Sequence, residues 1–127
     1  MRVLLAGGGT GGHINPAIAI ANEWKKCDPK AEFLFAATPG NMEDTLVPRA
    51  GYPVAHIQLA GFYRSLLPQD ILHNLKAAAW LATSDMKAAR IVRDFRPDFA
   101  VGTGGYLSGP IIRKAQKMGI PTFIHEQ

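Results

Sequence analysis

A histidine closes a glycine run near the start of this chain, Gly7-Gly8-Gly9-Thr10-Gly11-Gly12-His13. Glycines let a ligand come close to the backbone, and an imidazole can take up a proton near neutral pH. The combination suits chemistry on a ligand that carries a phosphate or diphosphate. If a helix begins at this run, its unpaired N–H groups and partial positive charge would face the anion. A helix start disfavours a positive ring, so a neutral His13 could serve there as a general base. The plainer reading is a histidine that caps local backbone groups.

A second run, Gly102-Thr103-Gly104-Gly105-Tyr106-Leu107-Ser108-Gly109-Pro110, repeats the arrangement. Two such loops on one sheet edge imply a ligand with more than one phosphate, or two ligands that meet. Tyr106 could stack on a ligand or hydrogen-bond to it, or simply anchor the loop. His125, Glu126 and Gln127 follow an apolar strand and are expected on the same edge. Gly7, Gly9 and Gly12 form a G-x-G-x-x-G pattern, but a dinucleotide enzyme also wants an acidic residue ending the second strand. That stretch reads Ala36-Ala37-Thr38-Pro39, which weakens the oxidoreductase reading. His56 and His73 read as surface or core histidines. Cys27 has no metal-ligand spacing around it, and no metal or cofactor is expected.

These residues need a scaffold, and the pattern supplies one. Val3-Leu4-Leu5-Ala6 reads as a buried strand, and Pro16 to Trp24 as a helix with proline in its first turn. Further strands are expected at Ala31–Ala37, Val54–Ile57, Phe99–Val101 and Pro121–His125. Helices are expected at Met42–Ala50, Gln69–Arg93 and Pro110–Met118. Short apolar strands alternating with helices predict an α/β fold: a Rossmann-like parallel sheet with helices on both faces.

Length and composition set the outer limits. The 127 residues suit one domain, and 47% hydrophobic with 19% charged residues is ordinary globular composition. The formal charge of +4 favours acidic partners, but no Lys/Arg run exceeds Lys25-Lys26, so nucleic acid is not expected. No run approaches the roughly 20 apolar residues of a membrane span. In the long helix, Ile71, Leu72, Leu75, Ala79, Ala82, Met86 and Ala89 fall on one apolar side. Trp80 falls opposite, with His73, Lys76 and Lys87. A tryptophan beside lysines, next to the apolar and basic Gly61–Pro68 segment, suits an anionic membrane surface. Packing against another domain or an isolated exposed aromatic are the other readings.

Four segments, taken in order, resemble the MurG glycosyltransferase family. They are Gly8–His13, Leu46-Val47-Pro48 with Ala50-Gly51-Tyr52-Pro53, Val101–Pro110, and Gly119-Ile120-Pro121 followed by His125-Glu126-Gln127. The resemblance covers all 127 residues. It implies an inverting enzyme of peptidoglycan synthesis with the two-domain GT-B architecture. Such an enzyme moves N-acetylglucosamine from its UDP donor to an undecaprenyl-linked MurNAc-pentapeptide, as a peripheral protein on the cytoplasmic face of the bacterial inner membrane.

By motif, Thr10, Gly11 and Gly12 resemble donor-contacting residues, His13 the base and Tyr106 a contact of the second loop. Gly104, Gly105, Glu126 and Gln127 join the substrate-binding set, and Trp80, Lys76 and Lys87 the membrane set. Gly40-Asn41-Met42-Glu43 departs mildly from the family pattern and leaves Glu43 without a role. Residues 1–127 are expected to be the amino-terminal, acceptor-side domain, inactive alone, with a carboxy-terminal donor-binding domain elsewhere. The alternative is a non-catalytic module that binds a nucleotide or phosphosugar.

Overall fold

The computed structural model describes residues 1–58, 68–105 and 107–125, apart from the side chains of Ala77, Trp80, Leu81 and Ala82. Five strands alternate with four helices: β1 (Arg2–Gly7), α1 (Gly11–Cys27), β2 (Glu32–Ala37), α2 (Met42–Arg49), β3 (Val54–His56), α3 (Pro68–Phe95), β4 (Phe99–Gly104), α4 (Ser108–Lys117) and β5 (Thr122–Ile124). The strands form one sheet in the order β3-β2-β1-β4-β5, every pair parallel. This is the Rossmann-like sheet that the alternation predicts.

The central strand shows why the sequence folds this way. Val3, Leu4, Leu5 and Ala6 have no exposed surface. Successive side chains of a strand point to opposite faces, so a run without polar positions must be covered on both sides. Leu4 and Ala6 enter one core layer with Ala88 and Val92 of α3 and Ile111 of α4. Val3 and Leu5 enter the other, with Ile14, Ala17 and Ala21 of α1 and Val47 of α2. Each fully buried leucine contributes about 1.5–3 kcal/mol relative to exposure.

Three boundaries at the glycine runs differ from the sequence reading. α1 begins at Gly11 rather than near Pro16, so Gly11, Gly12 and His13 form its first turn and only Gly8, Gly9 and Thr10 link it to β1. Pro16 therefore lies inside the helix, where it has no N–H to give to the Gly12 carbonyl. β4 runs on to Gly104 and α4 starts at Ser108, which shortens the second link to three residues. Glycine is a poor helix former, so composition drew these boundaries too far out.

The larger correction concerns α3. Its expected core face is its outer face: Ile71, Leu72, Leu75 and Met86 are 44–76% exposed. The buried positions are Ser84, Ala88 and Val92, supported by partly buried Ile91 and Phe95. Small residues let α3 approach its neighbours, and apolar periodicity records side-chain chemistry rather than the side that packs.

Candidate active site

The strand order reverses between β1 and β4, and ligands of open α/β sheets bind beyond the carboxyl ends of strands at such a point. Both glycine loops arrive there. Gly7 and Gly104 are register partners across an irregularity in the ladder, and the Gly8 N–H donates to the Gly104 carbonyl at 3.3 Å. Beside them opens a cleft of about 330 Å³, lined by His13, Thr103, Gly104, Gly105, Ser108 and His125 among others.

His13 is the third residue of α1 after the N-cap position, Thr10. Its half-buried ring lies 3.1 Å from the Gly8 carbonyl through Nδ1. A carbonyl oxygen only accepts, so Nδ1 carries the proton and donates it, and in the neutral ring Nε2 keeps its lone pair. Thr103 Oγ1, on β4, donates to the His13 carbonyl at 2.5 Å. The neighbouring strand thus fixes the helix start that carries the ring.

The second loop is shaped to that ring. A Cβ on Gly104 would stand 2.6 Å from His13 Cδ2 and 2.9 Å from Nε2, and one on Gly105 would run into the Gly8 carbonyl. Gly104 and Gly105 also have φ of +120° and +86°, a region that side chains disfavour. Two helix starts border the cleft, and neither α1 nor α4 has a side-chain cap or an acidic residue in its first turn. The His13 N–H already donates to the Thr10 carbonyl at 3.1 Å and the Ser108 N–H to the Gly105 carbonyl at 3.2 Å, so the groups left to attract an anion at the start of α1 are the Gly11 and Gly12 N–H groups.

Beneath the first loop lies Glu43, which is completely buried. Its Oε1 accepts the Gly9 N–H at 3.3 Å, and its Oε2 has no hydrogen-bond partner. Burial raises its pKa above the ordinary 4.5, against smaller lowering by hydrogen bonds such as that from Gly9. The sequence reading left Glu43 without a role. One signal was available: it sits four residues before buried Val47, on the same side of α2, while Met42 is 50% exposed.

The structure brings Thr10, Gly11, Gly12, His13, Gly104 and Gly105 to one edge. The His125 N–H donates to the Gly102 carbonyl at 2.8 Å, and His125 borders the cleft. Tyr106, Glu126 and Gln127 lie outside the described residues. Lys76 and Lys87 are exposed on α3, while the side chain of Trp80 is outside the description. His56 stands 2.6 Å from Asp44, away from the glycine loops in sequence. Among the described residues, no three His, Cys, Asp or Glu side chains are grouped to hold a metal.

Known proteins share this sequence and this fold. The glycosyltransferase family 28 N-terminal domain matches residues 3–127. A UDP-N-acetylglucosamine–N-acetylmuramyl-(pentapeptide) pyrophosphoryl-undecaprenol N-acetylglucosamine transferase of Alkaliphilus oremlandii is 49% identical over 127 residues, covering 100% of this chain and 34% of its own length. The enzyme of that name from Bacillus thuringiensis (copy 2) is 46% identical with the same coverage. The crystal structure of Acinetobacter baumannii MurG superposes with a TM-score of 0.74 at 30% identity, covering 98% of this chain and 35% of that one. The chain thus spans about a third of the length of these relatives. It belongs to the glycosyltransferase family 28 N-terminal domain family.

Proposed function

We propose that the protein carrying this chain transfers N-acetylglucosamine from UDP-N-acetylglucosamine to an undecaprenyl-linked MurNAc-pentapeptide, with residues 1–127 as its acceptor-side domain. The observation that carries this reading is the His13 ring, held 3.1 Å through Nδ1 from the Gly8 carbonyl beside the two glycine loops. Nε2 of His13 removes the proton from the attacking acceptor hydroxyl. The new bond forms at the anomeric carbon, and the electron pair of the broken C–O bond leaves with the UDP diphosphate. The Gly11 and Gly12 N–H groups at the start of α1 stabilise that charge. Gly11 and Gly12 leave room for the donor.

His13→Ala in the full-length protein is expected to lower kcat about 100- to 10,000-fold, with a much smaller change in donor KM. Steady-state kinetics with UDP-N-acetylglucosamine and a lipid-linked acceptor measures both. Near-normal kcat would return His13 to a structural role. Donor binding without any turnover by the intact protein would favour the phosphosugar-binding module.

A lipid-linked acceptor requires contact with a membrane, and among the described residues no helix is long and apolar enough to cross one. Docking is assigned to the outer face of α3, where Ile71, Leu72 and Leu75 are 44%, 56% and 64% exposed and Lys76 is also exposed. Apolar insertion and attraction to anionic lipid act together there, at about 1 kcal/mol per basic residue near the surface. Leu72→Glu with Leu75→Glu is expected to abolish sedimentation with anionic vesicles without lowering thermal stability. Undiminished sedimentation would remove α3 from the docking surface.

A further inference from the structure

We infer that Glu43 is the positioning residue of the His13 base and acts through the Gly8–Gly9 turn; the inference rests on the proposed role of His13. Three contacts converge on Gly8. Its N–H donates to the Gly104 carbonyl, its own carbonyl accepts the His13 Nδ1–H, and its Cα stands over the Glu43 carboxyl. A Cβ on Gly8 would lie 2.8 Å from Glu43 Oε2 and 2.9 Å from Cδ, so the carboxyl and the turn are in close contact. The next N–H, that of Gly9, ends on Oε1. One side chain therefore supports the turn from below and accepts its free donor.

Packing alone does not call for a carboxyl at this place. Glu43 is on the same side of α2 as Val47, and a fully buried ionisable group whose Oε2 lacks a partner is costly where an apolar side chain could fill the space. What a carboxyl supplies, and a methionine of similar volume does not, is an acceptor: for the Gly9 N–H and, at the start of α2, for the Asn41 side chain and its own N–H. With that acceptor lost, the Gly8–Gly9 peptide is free to turn and the Gly8 carbonyl leaves the ring. The ring proton then moves to Nε2, which free histidine prefers, and Nε2 is no longer a base. Glu43 touches no reacting atom in this scheme; it selects the tautomer.

Imidazole ¹⁵N spectra of His13 test this directly, on the wild type and on Glu43→Gln, Glu43→Met and Gly8→Ala. The wild type and the Gln variant, whose amide oxygen still accepts from Gly9, should show the Nδ1–H form. The Met variant should shift to Nε2–H, and so should Gly8→Ala, which drives a Cβ into the carboxyl from the other side. In the full-length protein the Met variant should lose roughly 10- to 1,000-fold in kcat with donor KM nearly unchanged, and Gln should restore it. Folding is followed by circular dichroism, and Gly8→Ala keeps the test open if the Met variant fails to fold. Retention of the Nδ1–H form in the folded variants overturns the inference. Absence of transfer by the wild-type protein would instead overturn the proposed reaction and leave the tautomer result intact.

Discussion

At the β1–α1 link the backbone turns over a buried carboxyl, whereas at the β4–α4 link it turns against an imidazole. The first turn supplies groups: the Gly8 carbonyl to His13 and the Gly9 N–H to Glu43. The second supplies shape, with Gly104 and Gly105 at positive φ and no room for a Cβ beside the ring or the Gly8 carbonyl. Gly11 differs from both, because a Cβ there would meet nothing nearer than Asn15 Nδ2 at 3.5 Å. The glycines of the two runs look alike in sequence but answer to different demands. Some satisfy the fold, and others leave space that the fold does not use.

Gly104→Ala should have the largest effect on stability. The strained φ alone costs about 1–3 kcal/mol, and displacement of the His13 ring adds to it. Chemical denaturation should show this loss, with the cleft disordered in any folded fraction. A wild-type midpoint would mean that the second loop is not moulded to the ring.

An intermediate, pH-dependent effect belongs to Glu43. Its folded pKa is raised above 4.5, so the folded state holds a proton that the unfolded chain has already released. Its contribution to stability therefore falls as pH rises from about 4.5 through the raised value, and the penalty is complete above it. Asp44 has the opposite sign: its pKa is lowered, chiefly by the hydrogen bond with His56, so its contribution is lost as pH falls. Comparing urea midpoints of wild type and Glu43→Gln across pH isolates the Glu43 part. The two curves should diverge with rising pH, the wild type lying lower, and parallel curves would falsify the assignment.

The smallest stability effect is expected for Gly11→Ala. Alanine removes backbone freedom from the unfolded chain, and at an unstrained position that stabilises by about 0.4–1 kcal/mol. Turnover of the full-length protein should nevertheless fall, because the methyl group occupies space proposed for the donor. Unchanged kinetics would move the donor away from the start of α1.

Much of this architecture was readable in the chain. Val3–Ala6 and Phe33–Ala37 are apolar on both faces, and only a parallel sheet covered on both sides satisfies such strands. The two glycine runs meet at one edge of the sheet because each follows a parallel strand. The inner face of α3 was not readable. Ser84 and Ala88 carry little hydrophobic signal, while Ile71, Leu72 and Leu75 carry a strong one on the exposed side. Glu43 was hidden for a related reason: a carboxylate in a helical first turn ordinarily reads as a solvated residue that complements the dipole. Its burial depends on Gly8, which is distant in sequence and lacks the side chain that would exclude it.

Pro16 gives the start of α1 a mechanical independence. The hydrogen bond that would tie residue 16 back to Gly12 cannot form, so the ladder is broken just behind the turn bearing His13. What holds that turn comes largely from outside the helix: the Thr103 hydroxyl on the His13 carbonyl, and the Gly8 carbonyl on the ring. In hydrogen-exchange terms the turn can open as its own small unit, at a free energy below that of unfolding α1. The amide of His13, bonded to the Thr10 carbonyl, should then exchange by a local route, set by the grip of β4 on the turn, while the helix beyond Ala17 stays closed.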